Sequence, residues 1–159
     1  MLYHPAAAVT RTPAAVGLSY ESVDFDVSAS GAAQLRGWWI ARPKARYTAI
    51  YLHSANGNLG DTVDALNRLY GSGFNVFAFD YRGYGQSHFA RPSEEHWRQD
   101  ANWALQYLTQ TRHIDPATIV LDGSELGANL ALDVAAKHQE LAGVVVDSPL
   151  KNPVDAVLN

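Results

Sequence analysis

The segment IVLDGSELGANLALDVAAKH, from Ile119 to His138, carries a β-branched run through a glycine-rich turn directly into a helical pattern. In a sharp strand-to-helix turn, the tip residue has strained backbone geometry, and strand and helix approach closely around it. The residues two before and two after the tip must therefore be small. Gly123 and Gly127 meet this requirement when Glu125 is the tip. We predict that the carboxylate of Glu125 projects from this turn.

Ser124 is the alternative tip residue. With Ser124 at the tip, the flanking residues would be Asp122 and Leu126, and both are too large for the close approach. We therefore interpret Ser124 as a small polar residue of a tight turn that caps the following helix. The hydroxyl of Ser124 is kept only as an alternative candidate for the nucleophile.

Six short segments have the composition of β-strands. The first two alternate polar and apolar residues around a turn-like Ser-Ala-Ser-Gly, so they predict an antiparallel hairpin at a sheet edge. The other four are nearly continuous apolar runs, which are typical of parallel strands buried on both faces. The six segments are Tyr20–Val27, Gln34–Ile40, Tyr47–Leu52, Phe74–Phe79, Thr118–Leu121 and Leu141–Val146.

Helical patterns separate the last four strands. They cover Asp61–Tyr70, a segment that starts at Pro92 with Ser93 as its cap, and Leu126–His138. A hairpin followed by alternating strands and helices predicts an α/β fold with a doubly wound, mainly parallel sheet. Ligands of such sheets bind at the carboxyl ends of the strands.

The composition narrows the classes of partner. The 159 residues suit a single domain, and 47% hydrophobic against 18% charged residues indicates a globular chain. The net charge of −4, without a block of Lys or Arg, argues against nucleic acid as a partner. Apolar runs are shorter than the roughly 20 residues that span a bilayer. Because the start of the chain also lacks a signal-peptide pattern, we expect a cytoplasmic protein.

Metal and cofactor sites find little support in the sequence. There is no Cys, and the six His are scattered without ligand spacing. The glycines of Arg82–Gly85 are not followed by the Lys-Ser/Thr pair of a phosphate loop. We therefore expect neither a metal nor a cofactor.

Several motifs stand in order along the chain, and together they carry a resemblance. In this pattern the whole chain resembles the N-terminal two-thirds of an α/β-hydrolase, and it is most similar to lipase-like and serine-aminopeptidase-like bacterial hydrolases. The resemblance implies a small-molecule substrate with an ester or acyl bond. The motifs are Leu2–Pro5, Gly37–Trp39, His53–Asn58, Asp80–Ser87, Pro92–Glu95, Asp115-Pro116 and Gly123–Gly127.

The resemblance also assigns roles to residues. It implies an oxyanion hole formed by the backbone N–H groups of Ala55 and Leu126, and a His53 that orders the loop after the third strand. The tip of the turn becomes the nucleophile elbow, where the family has Ser and this chain has Glu125. Asp147, at the end of the sixth strand, is an alternative catalytic acid, although an Asp before Ser-Pro is more often a turn former.

The family's catalytic His and usual acid follow strands seven and eight, which have no counterpart before Asn159. The expectation is an apparently truncated domain over residues 1–159, with an incomplete triad and a degenerate active site. Dehalogenase and epoxide-hydrolase relatives use a tip Asp as a covalent nucleophile, so a carboxylate mechanism at Glu125 is one alternative. A non-catalytic protein that binds a small ligand or a partner chain is the other.

The sixth strand is expected to lie at the edge of the sheet. In the family the strand order is 1-2-4-3-5-6-7-8, so without the last two strands LAGVVVDS, from Leu141 to Ser148, would have one free edge. Flat, β-branched edges recruit another chain. We expect either a homodimer that forms through this edge or another way of covering it.

Overall fold

The computed structural model describes His4–Pro5 and residues 8–147. Leu2 and Tyr3 of the first motif therefore lie outside the described residues, as does Ser148 after the sixth strand. Six strands form the main sheet in the order β1-β2-β4-β3-β5-β6. They are β1 (Glu21–Asp26), β2 (Gln34–Ile40), β3 (Thr48–Leu52), β4 (Asn75–Phe79), β5 (Ile119–Ser124) and β6 (Gly143–Asp147).

The pairing of these strands confirms the predicted mainly parallel sheet with an N-terminal antiparallel hairpin. β1 pairs antiparallel with β2, and β2 antiparallel with β4, whereas β4, β3, β5 and β6 are parallel. β5 ends at Ser124 rather than at the predicted Leu121, because its last residues still pair with β3 and β6. His4–Pro5 forms a separate short parallel pair with Asn56–Gly57.

Three α-helices connect the strands. They are α1 (Val63–Gly71), α2 (Glu94–Gln106) and α3 (Leu126–Lys137). The predicted cap of α2 is confirmed, since the hydroxyl of Ser93 accepts from the N–H of His96 at 3.4 Å. A π-helical turn, Tyr107–Thr111, continues α2, and a 3₁₀ turn, Leu59–Thr62, precedes α1. No helix of the described chain is long and apolar enough to cross a membrane.

Helices cover both faces of the sheet. Phe77 and Phe79 of β4 belong to the core that contains Trp97 of α2. Val76 and Ala78 of the same strand belong to the core under α1. Because side chains alternate along a strand, both faces of β4 are buried, and this explains its nearly continuous apolar sequence.

Candidate active site at the strand-to-helix turn

Glu125 lies at the tip of the turn between β5 and α3. Its φ of 54° and ψ of −115° fall in a region that non-glycine residues rarely adopt. A Cβ added to Gly123 would overlap the carbonyl oxygen of Gly127, and one added to Gly127 would overlap that of Leu52. The glycines are therefore needed for the close approach of the two elements, as the sequence predicts for a tip at Glu125.

The neighbours of Glu125 are mainly backbone groups. Its N–H donates to the carbonyl of Asp147 at 3.0 Å, and its carbonyl accepts from the N–H of Ala128 at 3.1 Å. Its side chain is exposed and makes no capping hydrogen bond to α3. The N–H of Leu126 belongs to the first turn of α3, where N–H groups have no partner within the helix. The carboxylate and this N–H group thus occupy the same helix terminus.

Ser124 does not cap α3. The N-cap position is Glu125, because the non-helical backbone of the tip residue immediately precedes the first helical residue. The prediction of Ser124 as the cap is therefore wrong. Ser124 is instead the last residue of β5 and is half-buried.

Ser124 and Asp147 meet at an open cavity of about 290 Å³, whose lining also includes Tyr51, Arg68 and Asp122. The pKa of Asp122 is raised above its ordinary value, chiefly because the carboxyl group is buried. The charge of Arg68 opposes this rise and the charge of Asp147 adds to it. Burial and the neighbouring carboxylates likewise raise the pKa of Tyr51. Among the described residues that line the cavity there is no histidine. The two alternative catalytic residues are thus close together, without a base beside them.

His53 is part of the loop after β3 and is 2% exposed. Its Nδ1 donates to the carbonyl of Ser54 at 2.7 Å, because a carbonyl oxygen can only accept. Its Nε2 lies 3.1 Å from Oδ1 of Asp80, in a geometry too poor for a hydrogen bond. The ring also packs against Tyr81, with 4.3 Å between ring centroids. This environment suits the predicted loop-ordering role and leaves neither nitrogen facing the elbow carboxylate as a base.

Two tyrosines that the sequence did not single out hold the same loop. The hydroxyl of Tyr81 donates to the carbonyl of His53, and that of Tyr84 donates to the carbonyl of Ala55, each at 2.8 Å. Both rings are fully buried, and burial raises the pKa of Tyr81 well above its ordinary value. The motif Asp80–Ser87 contains both residues, but its pattern gives no indication of these distant acceptors.

A buried ion pair fixes the Asp80–Ser87 loop to α2. Asp100 is fully buried and accepts from Nε of Arg82 at 2.6 Å and from the backbone N–H of Arg82 at 2.9 Å. Burial raises the pKa of Asp100, and the hydrogen bonds from Arg82 oppose this rise. The pair positions the segment that carries Tyr81 and Tyr84.

His138 follows the elbow in sequence but is remote from it in space. It is the C-cap of α3, and its ring lies against Glu140 and Asn102, at 2.9 and 3.1 Å. A helix of this length separates its ends by about 18 Å. His138 therefore does not serve Glu125. In the described part of the chain, no group of three or more His, Asp or Glu residues could hold a metal ion.

Comparison with curated proteins gives relatives of about twice this length. The chain is 32% identical over 152 residues to the uncharacterized protein Rv2307c of Mycobacterium tuberculosis, covering 94% of this chain and 52% of the relative. It is 31% identical over 137 residues to the uncharacterized protein YfhR of Escherichia coli, covering 82% and 47%. The chain thus spans about half the length of the curated relatives it matches.

Solved structures have the same fold. The esterase Pf2001 of Pyrococcus furiosus superposes with a TM-score of 0.77 at 24% identity, covering 92% of this chain and 58% of the esterase. An α/β hydrolase from Vibrio vulnificus gives 0.77 at 25% identity, with 91% and 50% covered. The family model described as serine aminopeptidase, S33, matches residues 43–157. The chain therefore belongs to the S33 serine aminopeptidase family of α/β hydrolases.

Proposed function

We propose that this protein carries the acyl-binding part of an ester or acyl hydrolase site, in which Glu125 occupies the nucleophile position and serine-type turnover does not occur. The observation that carries the proposal is the strained backbone of Glu125 between the two close-packed glycines. This geometry projects one side chain from the elbow, and that side chain is a carboxylate. The esterase among the structural neighbours supports the substrate class only by analogy of fold.

Two backbone N–H groups support the oxyanion hole in this proposal. In a trans peptide, the N–H of Ala55 points opposite to the carbonyl of Ser54, which accepts from His53. The N–H of Ala55 is thereby turned away from the His53 ring. The N–H of Leu126 comes from the first turn of α3, where the helix dipole favours negative charge. Correctly aimed donors of this kind contribute roughly 3–4 kcal/mol each to transition-state stabilisation.

The carboxylate changes what such a site can do. A carboxylate nucleophile works on sp³ carbon or phosphorus, so esters are poor substrates for the covalent route. That route also needs a base to activate water. His53 of the loop after β3 and His138 at the end of α3 both have other partners. The site therefore binds the acyl part of a ligand in this proposal, without turning it over.

Hydrolysis of p-nitrophenyl acetate and butyrate tests the proposal. We expect the parent chain to release p-nitrophenol no faster than Glu125→Ala, because no serine or activated water attacks the ester. Glu125→Ser and the isosteric Glu125→Gln serve as matched variants at the same position. Circular dichroism of each variant would establish that the fold is retained.

One result would contradict this expectation and favour the alternative mechanism. Turnover by the parent that disappears in both Glu125→Ala and Glu125→Gln would establish a working carboxylate and the covalent route. Turnover that appears only in Glu125→Ser would instead identify a functional elbow in which residue 125 alone blocks serine chemistry.

A second candidate function, the binding of a partner chain, is favoured by the edge of the sheet. Among the described strands, β6 pairs only with β5. Val144 and Val145 are 36% and 55% exposed on it. In an antiparallel pairing of two β6 strands centred on Val145, Asp147 stands opposite Gly143, so two carboxylates do not face each other. The edge is thus compatible with a symmetric homodimer.

Analytical ultracentrifugation tests the homodimer. We expect the parent chain to sediment as a dimer and Val145→Lys to sediment as a monomer, because a charge on an edge strand opposes strand addition. Leu132→Lys, which alters an exposed residue of α3, is the matched control and should leave the dimer intact. A parent chain that is monomeric at micromolar concentrations would rule out this interface.

A further inference from the structure

Side chains hold three consecutive carbonyl groups of the loop after β3. Tyr81 donates to the carbonyl of His53 at 2.8 Å, and Tyr84 donates to that of Ala55 at 2.8 Å. Between them, the Ser54 carbonyl accepts from Nδ1 of His53 at 2.7 Å. Backbone groups make most hydrogen bonds in proteins, so a loop whose successive carbonyls are all held by side chains is unusual.

The direction of each carbonyl also sets the direction of the next N–H group. The two groups of a trans peptide point in opposite directions, and the described chain has no cis peptide. Fixing the carbonyls of His53, Ser54 and Ala55 therefore fixes the N–H groups of Ser54, Ala55 and Asn56. The three donor rings are in contact with one another, so the carbonyls point towards one aromatic cluster and these N–H groups point away from it.

The two tyrosines are themselves firmly held. Their rings meet edge to face with centroids 5.6 Å apart, and each also contacts Trp97 of α2, at 6.0 and 5.8 Å. Tyr84 further contacts the ring of His53 at 5.2 Å. The hydroxyl of Tyr84 thus projects from a rigid aromatic cluster and has little freedom to follow the loop.

We propose that Tyr84 is a positioning residue for the acyl site, acting through the carbonyl of Ala55 to fix the Ala55–Asn56 peptide. This peptide carries the N–H of Asn56 and directly follows the N–H of Ala55, which the Ser54–Ala55 peptide holds towards the ligand. The inference rests on the proposed function, because it takes Ala55 as one of the two oxyanion donors. Tyr84 does not touch the ligand. Its hydroxyl instead prevents the Ala55–Asn56 peptide from rotating.

The experiment uses the full chain with Tyr84→Phe, which removes only the hydroxyl. Amide NMR signals and hydrogen exchange of Ser54, Ala55 and Asn56 report the loop directly. Titration with butyrate in a Glu125→Gln background reports the acyl site without a competing carboxylate. We expect exchange of Ala55 and Asn56 to accelerate about tenfold and butyrate affinity to fall about fivefold, as for the loss of one buried hydrogen bond.

Tyr107→Phe is the matched control. The Tyr107 hydroxyl also has a hydrogen bond, from Nε of Arg112 at 2.9 Å, and its ring packs against Phe25 of the same core. Tyr107→Phe should lower the thermal midpoint about as much as Tyr84→Phe does. It should leave the amide signals of the loop and the affinity for butyrate unchanged.

The outcomes separate the inference from the proposed function. Unchanged loop amides, or an unchanged affinity for butyrate in Tyr84→Phe, would overturn the positioning role. If Glu125→Gln with Tyr84 intact binds butyrate without shifts at Ala55 and Leu126, or does not bind it, the acyl site is wrong and the positioning role falls with it. Weaker binding together with altered loop amides supports both.

Discussion

Gly127→Ala is expected to destabilise the fold by about 3 kcal/mol, at the upper end of the range for overpacking substitutions. The added methyl group would overlap the carbonyl oxygen of Leu52 and lie 2.9 Å from that of His53. Neither carbonyl can retreat easily, because Leu52 pairs with Gly123 in the centre of the sheet and the His53 carbonyl is bonded to Tyr81. Urea denaturation followed by circular dichroism would measure the loss.

Gly71→Ala is the matched control for this substitution. Gly71 is the last residue of α1, its φ is not positive, and a Cβ there meets no atom within 4 Å. We expect this variant to unfold within about 1 kcal/mol of the parent, on the stabilising side, because alanine restricts the unfolded chain. A Gly127→Ala variant as stable as Gly71→Ala would mean that α3 does not approach β3 as closely as described.

The turn at Glu125 was predictable because its constraint is local. The spacing of Gly123 and Gly127 excludes Ser124 as the tip by size alone, and the structure has Glu125 at positive φ. The capping role of Ser124 was wrong for a related reason. A glycine pattern identifies the tip residue, but it does not indicate that the non-helical backbone of that residue makes it the N-cap as well.

The support of the loop after β3 was not predictable in the same way. The hydroxyl of Tyr84 reaches a carbonyl 29 positions earlier, and Asp100 reaches a guanidinium 18 positions earlier. Periodicity places Asp100 on a helix and says nothing about its partner. The one local signal is that Asp100 lies among the apolar positions of α2, three residues after Trp97. An unpaired carboxylate is rarely buried, so this position indicates a partner without identifying it. Long-range hydrogen bonds of this kind depend on the assembled sheet.

The ion pair between Arg82 and Asp100 gives the second large expected effect. Asp100→Ala should destabilise the chain by about 3–5 kcal/mol, because removing one partner of a buried ion pair leaves the other without compensation. The side chain of Arg82 is only 13% exposed, and its remaining acceptors are the carbonyl of His96 and the side chain of Gln99, each at 3.0 Å. Thermal and urea denaturation would measure the change.

A double replacement separates the charge effect from the loss of volume. Arg82→Met with Asp100→Leu removes both charges and keeps apolar bulk, so it should recover much of the stability that Asp100→Ala loses. The backbone N–H of Arg82 would still lack the acceptor that Asp100 provides, and the recovery should therefore remain incomplete. The loop that carries Tyr84 would then keep its place without an ion pair, and amide exchange at Ala55 should stay close to that of the parent. If Asp100→Ala is instead as stable as the parent, the carboxylate contributes nothing to anchoring the Asp80–Ser87 loop. The aromatic contacts with Trp97 and the hydrogen bond between Arg36 and Ser87 would then hold the loop in place.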